Sequence, residues 1–259
     1  MAESVKSAER ALRIVELLAE AGRLDFPAIC ARLTLPKSSA HALLATLRQT
    51  GFVCFDDDSR LYGVGARAWE VGQAYIADLD VAEAAGPYLQ RIRDALGETV
   101  QLAVLDGIDN VYLRKLDSDH PLQLVSQVGR RLPAYATGLG KALLAGLPDD
   151  EVRRRLAGVE LHRFTARTVA GTDQLLTELA RIRRQGYATD RGEYTEGVFC
   201  VAAPIVGPTG TVAAMSVSIP DVRVTAEVRR RTASTVVAEA AALSAELSDP
   251  TRSQGSRSR

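Results

Sequence analysis

The 259-residue chain is 46% apolar and 25% charged, and its 32 lysines and arginines are matched by 32 aspartates and glutamates. That is the composition of a soluble globular protein with length for two ordinary domains, and zero net charge excludes binding to a polyanion through overall charge alone. Cys30, Cys54 and Cys200 are odd in number, far apart and without ligand spacing, so neither a disulfide framework nor a zinc site is supported and a reducing cytoplasm fits.

The chain opens "MAESVKSAERALRIV", with acids where a signal peptide needs a basic and then an apolar run, and no apolar stretch approaches the ~18 residues of a membrane span. A cytoplasmic protein without a membrane partner is expected. Val5, Ala8, Leu12, Val15 and Ala19 recur at helical spacing, and Gly22 ends that run. Asp25 can cap a short second helix, with Pro27 in its first turn, reaching about Leu33. Pro36 lacks an N–H and turns Leu35 away from helical angles, so a third helix begins near Ser38, a good N-cap residue, and runs to about Gln49 before Gly51 stops it. Helix, short helix, tight turn and helix is the helix-turn-helix order. "FVCF" and "LYGV" flank the polar "DDDSR" as a hairpin. Together these predict a winged helix-turn-helix over residues 4–66, followed by a linker helix over 67–81.

Further on, a helix from about Val81 to Leu96 ends at Gly97, "TVQLAVL" and "NVYLRKL" flank a turn, and "LQLVSQV" is a third candidate strand. "GLGKALLAGL" starts a helix that Pro148 closes, and Thr172 caps another ending at Gln185 before Gly186. "YATD", "CVAAPIV" and "VAAMSVSI" read as strands, and a long helix follows from about Thr225 to Leu247. Its apolar Val228, Ala233, Val236, Val237, Ala240 and Leu243 suit packing on its own domain or on a partner. Mixed strands and helices predict an α+β class, with an antiparallel sheet in a second domain over 82–247. The tail over 248–259 has too few apolar groups to order itself.

On the third helix, Ala40, Leu43, Leu44 and Leu47 form an apolar stripe, and Ser38, His41, Ala45 and Arg48 form a slim, acid-free one. The second has the shape a helix needs to enter a major groove about 12 Å wide. Lys37, Ser38 and Ser39 can donate to phosphates there. Basic and acidic residues balance over the first 72 positions, yet from Phe26 to Phe55 there are Arg32, Lys37 and Arg48 and no acid. The three aspartates of "DDDSR" repel phosphate, so Arg60 is the hairpin's candidate contact and the acids are expected to point away.

These residues resemble a known family. "SAERALRIVELLAE", "LPKSSAHALLATLRQTGFV" and "YGVGARAWEVG" are similar to the N-terminal domain of IclR-type bacterial transcriptional regulators, and "RRLPAYATGLGKALLA" and "RRQGYATDRGEYTEGVFCVAAPIVGPTGTVAAMSVSIP" to that family's effector-binding domain. The resemblance spans about residues 4–247. It implies a winged helix, a GAF-like ligand domain, a homodimer or homotetramer, a double-stranded operator and a small organic effector. Where family members often carry arginine after the recognition-helix histidine, this chain has Ala42. That removes a side chain whose bidentate base contact is worth roughly 1–3 kcal/mol of discrimination and leaves the operator sequence open.

The effector positions implied by the resemblance are Gly138, Leu139, Asp190, Val198, Cys200, Ser216 and Ser218; Glu193 also matches the family pattern. Backbone amides at a helix start suit a carboxylate, Ser216 and Ser218 share one strand face and can both donate into a cavity, and Asp190 can accept from a hydroxyl. A small hydroxylated or aromatic carboxylic acid is the expected ligand. Cys200 is considered as a nucleophile with His162 or His120 as base, but it begins an apolar strand, where a buried thiol is the commoner outcome. No metal or phosphate-loop spacing is present, no cofactor is called for and no enzyme is expected. The rival reading is a sensor or enzyme whose helical front end contacts only protein.

Overall fold

The computed structural model describes residues 5–77, 80–121 and 126–249. The chain forms two units, divided between Asp78 and Leu79.

The first unit runs α1 (Lys6–Ala21), α2 (Phe26–Leu33), α3 (Lys37–Gln49), β1 (Val53–Asp56), β2 (Leu61–Val64) and α4 (Ala66–Ala77). Asp25 caps α2, its carboxylate accepting from the Ala28 amide at 2.8 Å, and Thr34 ends it in the left-handed region. The predicted Ser38 cap is not realised: α3 starts at Lys37 with Pro36 in the cap position, because proline's fixed φ admits the helix without needing a side-chain acceptor. Gly51 does stop it, at φ 79°. The apolar stripe read on α1 also shifts. Val5 and Leu12 are exposed, and the buried face is Ile14 and Leu18 with Ala11, Val15 and Leu17 beside them. Two stripes of similar apolarity share that helix, and periodicity alone does not say which one meets α2 and α3. Ala40, Leu44 and Leu47 are buried against Ile14, Leu18 and Ile29, with Leu43 at the margin, which leaves the opposite side of α3 free. β1 and β2 pair antiparallel, and Leu24 bridges to Tyr62 on the outer edge. This is the expected winged helix-turn-helix. The single linker helix read over 67–81 is α4 from Ala66 to Ala77 and a separate α5 from Asp80, with 78–79 outside the described residues.

The second unit runs α5 (Asp80–Ala84), α6 (Gly86–Leu96), β3 (Thr99–Asp106), β4 (Asp109–Leu116), β5 (Arg131–Pro133), a 3-10 turn at Ala134–Ala136, α7 (Gly138–Leu144), α8 (Asp149–Arg155), α9 (Thr172–Gln185), β6 (Ala188–Arg191), β7 (Val198–Gly207), β8 (Gly210–Pro220) and α10 (Ala226–Leu247). The expected helix over 81–96 breaks at Ala85, where Pro87 enters the first turn of α6 without an N–H to continue the ladder. Of the expected strand "LQLVSQV", residues 122–125 lie outside the described residues and Ser126–Val128 are not in a strand; the partner of β4 is β5. α8 was not anticipated, although Pro148 at its cap, acids in its first turn and arginines in its last are a helix signature. Gly171, not Thr172, holds the cap position of α9. The tail over 248–259 falls outside the described residues except for Ser248 and Asp249.

Six strands form one antiparallel sheet in the order β5-β4-β3-β8-β7-β6. On one face α10 lies along β7, burying Thr232, Val236, Ala240 and Leu243, so its apolar stripe packs on its own domain. On the other face α7 and α9 close a core that includes Leu139, Leu143, Leu175, Leu179, Ala202 and Ala214. α7 approaches so closely that a Cβ at Gly140 would lie 2.2 Å from the Ala134 Cα, a contact only glycine permits.

Candidate functional site

In the first unit the exposed side of α3 carries Lys37, Ser38, His41 and Arg48, with Ser39 partly buried beside them. His41 meets the Phe26 ring edge-on at 6.2 Å, which orients the imidazole without an acid. Arg48 and Arg60 lie over the Phe55 ring, at 4.8 and 5.1 Å from its centroid. Phe55 therefore joins the third helix to the hairpin through its contact with Arg48, while Arg60 stacks on it from within the hairpin. Among the described residues neither Lys37 nor Arg48 is paired with an acid, so both keep their charge available to a phosphate.

The hairpin acids behave only partly as expected. Asp56 turns back to accept from the Asp58 amide at 3.0 Å and the Ser59 amide at 3.3 Å, and takes an ion pair from Arg23 at 3.0 Å. Those backbone bonds, that of Ser59 foremost, hold its carboxyl below the usual range. Asp57 and Asp58 stay exposed at the tip, with Asp57 4.0 Å from Arg60. The expectation that all three acids turn away is thus corrected. Arg60 belongs to the same turn, between β1 and β2, and its guanidinium folds back over Phe55 while Asp57 and Asp58 remain at the surface.

In the second unit Gly138, Leu139, Asp190, Val198, Cys200, Ser216 and Ser218 all line one cavity of about 240 Å³. Strand register is what assembles them. Asp190 pairs with Cys200, Cys200 with Ser218, and Ser216 with Gln101, so alternate residues of four neighbouring strands point to the same face. Gly138, at the start of α7, closes that face: a Cβ there would come 3.4 Å from the Cys200 Cβ and 3.5 Å from the Asp190 Cβ.

The lining also includes Gln101, Tyr112, Arg130, Thr137 and Tyr194, which sequence reasoning missed. Gln101 decides the polarity of the floor. Ser216 and Ser218 both donate to its Oε1, at 3.1 and 2.9 Å, and its amide nitrogen donates to Ser126 Oγ at 2.9 Å. The two serines face the cavity together, but their hydroxyl hydrogens are committed and they offer it lone pairs, not the donors expected. Cys200 Sγ lies 3.1 Å from Ser218 Oγ. Burial pushes that thiol well up, so it stays protonated and donates to the serine. Neither candidate base lines the cavity: the His162 ring packs on Phe164, and His120 sits 3.8 Å from Glu98.

Asp190 accepts from the Glu193 amide at 2.7 Å, and burial pushes its carboxyl up to about 7. Behind it Lys141 is 1% exposed and donates to both Glu193 oxygens, at 2.6 and 2.5 Å, with Glu178 at 3.8 Å. Burial raises the Glu193 carboxyl and the Lys141 charge opposes that rise. This pair gives Glu193 the role the sequence left open, fastening α7 to the loop after β6. A lone lysine inside the apolar "GLGKALLAGL" was its one legible signal. Thr137 caps α7 through Gly140 at 3.0 Å and donates to the buried Asn110 Oδ1 at 2.7 Å, while the Asn110 amide nitrogen is unpaired among the described residues.

Residues 7–57 match the IclR helix-turn-helix domain and residues 73–245 the C-terminal domain of the bacterial transcriptional regulator IclR. The chain belongs to the IclR family. Its relatives include the HTH-type transcriptional regulator KdgR of Escherichia coli, 34% identical with 87% of this chain and 86% of that protein covered. The E. coli transcriptional repressor AllR is 33% identical, with 86% and 83% covered. Among solved structures, the Thermotoga maritima IclR superposes with a TM-score of 0.77 at 28% identity, covering 94% of this chain and 99% of that one. An IclR homolog of Microbacterium hydrocarbonoxydans solved with 4-hydroxybenzoate gives 0.81 at 25% identity, covering 93% and 98%. Like these IclR-family relatives, the chain is a DNA-binding transcriptional regulator and not an enzyme. Among the described residues no helix is long and apolar enough to cross a membrane.

Proposed function

We propose that the chain is a cytoplasmic, ligand-responsive repressor that binds a pseudopalindromic operator as a homodimer or homotetramer. In this reading residues 4–66 bind DNA, 67–81 link, and 82–247 bind a small organic acid. The observation that carries it is the α3 face: Lys37, Ser38, His41 and Arg48 exposed along one acid-free side, with the aliphatic side buried. Ser39 and Arg60 complete the DNA-facing set. Lys37, Arg48 and Arg60 supply phosphate affinity, and His41 reaches base edges. Ala42, beside it, reads no base by hydrogen bonding. Two copies would place two such helices on half-sites about one helical turn apart or a multiple of it.

Repression is favoured by the likeness to AllR, a transcriptional repressor, and a hydroxylated or aromatic acid by the 4-hydroxybenzoate in the Microbacterium homolog. The cavity, about 240 Å³ and lined by Tyr112 and Tyr194 as well as by polar side chains, favours a small ligand over a large one. Effector and operator are then coupled sites, each shifting the other's affinity by the same factor. The test is selection of bound sequences from random duplex DNA at two salt concentrations, with His41→Ala alongside. Expected are an enriched pseudopalindrome, weaker binding at higher salt, and relaxed base preference in the variant. A folded protein that enriches nothing, with and without hydroxylated acids, would establish the rival reading of a front end that contacts protein.

A further inference from the structure

The cavity has two chemically different ends. Its inner wall is dominated by oxygens: Ser216 and Ser218 have given their hydrogens to Gln101, and the Asp190 carboxyl beside them is 4% exposed. A ligand carboxylate placed there would face lone pairs and a second carboxyl. The start of α7 does little to change this, because the helix has seven residues, its Gly140 amide already donates to Thr137, and Gly138 lies against Asp190. A hydroxyl, by contrast, brings a hydrogen that the Ser216 and Ser218 oxygens can accept.

The outer end carries Arg130. Its side chain is exposed, it is the one cation among the described residues lining the cavity, and no described acid is paired with it. The other positive charge nearby, Lys141, is held by Glu193 and Glu178 outside the lining. A free guanidinium at the mouth of a cavity offers a carboxylate two parallel N–H donors. The lining also includes Tyr112, Leu132, Tyr194 and Val198, which suit a flat or aliphatic body.

We infer that this cavity fixes its ligand end to end, with the carboxylate outward on Arg130 and a hydroxyl inward on Asp190 and the serines, so that Arg130 is the residue that selects for an acid. This rests on the ligand reading above and gives it a direction. It also makes Arg130, on the turn before β5, the specificity determinant in place of the backbone at α7.

Calorimetry on the full chain tests it with four probes: 4-hydroxybenzoate, its uncharged amide, unsubstituted benzoate and glycolate. Wild type is expected to prefer 4-hydroxybenzoate over the amide and over benzoate. Arg130→Gln loses roughly ten-fold on the acid, the scale of a charge-assisted contact, and nothing on the amide. Arg130→Lys keeps part of the preference. Asp190→Asn narrows the gap between 4-hydroxybenzoate and benzoate instead. An Arg130→Gln protein with wild-type circular dichroism that keeps the full preference for acid over amide overturns the orientation and returns the carboxylate to α7. Wild-type protein that binds none of the four overturns the ligand reading itself, and the orientation with it.

Discussion

The two units place their working groups on opposite sides of the solvent boundary. In the first, Lys37, His41 and Arg48 are exposed on a helix whose other side is core. Removing the Lys37 head leaves the packing intact, and His41 and Arg48 add only surface contacts with the half-buried Phe26 and Phe55 rings. In the second, Asp190, Ser216 and Ser218 are buried, and Lys141 and Glu193 behind them are buried as well. There the groups that would meet a ligand, exposed Arg130 excepted, also hold the domain together. The contrast teaches that stability and binding are separable in one unit and linked in the other, because a desolvated polar group has to be satisfied whether or not a ligand is present.

The largest effect should come from the buried pair. Lys141→Met leaves the buried Glu193 without its cation, while Glu178 keeps Arg181, and the urea-unfolding transition of the second unit should lose about 3–5 kcal/mol. Adding Glu193→Leu should restore part of it, since an apolar pair needs no compensation. A Lys141→Met protein as stable as wild type would break the comparison.

The next effect is on pH. The Asp190 carboxyl sits at about 7 in the folded chain, above its ordinary 3.8. The folded state therefore holds that proton more tightly than the unfolded state between roughly pH 4 and 7, and the contribution to stability falls as pH rises through that window. Asp190→Asn does not titrate, so its stability relative to wild type should rise by ~1–3 kcal/mol from pH 5 to pH 8. A constant difference across that range would show that Asp190 is solvated. The smallest effect on folding belongs to the surface unit. Lys37→Gln should leave unfolding within about 0.5 kcal/mol of wild type, while the slope of log affinity for DNA against log salt falls by about 1. A large loss of stability there would erase the distinction between the units.

Legibility in the sequence follows the same boundary. The α3 stripe was readable because a helix core repeats every three or four residues, and Asp25 and Gly51 because caps and stops are local chemistry. The α1 stripe was misjudged because Val5 and Leu12 are as apolar as Ile14 and Leu18, and only contact with α2 and α3 separates them. The seven effector positions came from family resemblance, not from pattern. Gln101 lies 115 residues from Ser216, and Lys141 lies 52 from Glu193, so no local spacing announces either contact.

What the sequence by itself determined is therefore the set of local decisions: two domains, the helix-turn-helix and its hairpin, most of the later helices and strands, the slim basic face of α3, and a lone lysine in an apolar helix. Tertiary structure alone decided where the serine hydrogens go, which acid holds Lys141, and that Arg130 at the cavity mouth has no acid paired with it among the described residues. The reason is physical. Helix, cap and turn are governed by neighbours a few positions away, whereas the polarity of a buried cavity depends on which donor and acceptor the sheet register brings within 3 Å of each other.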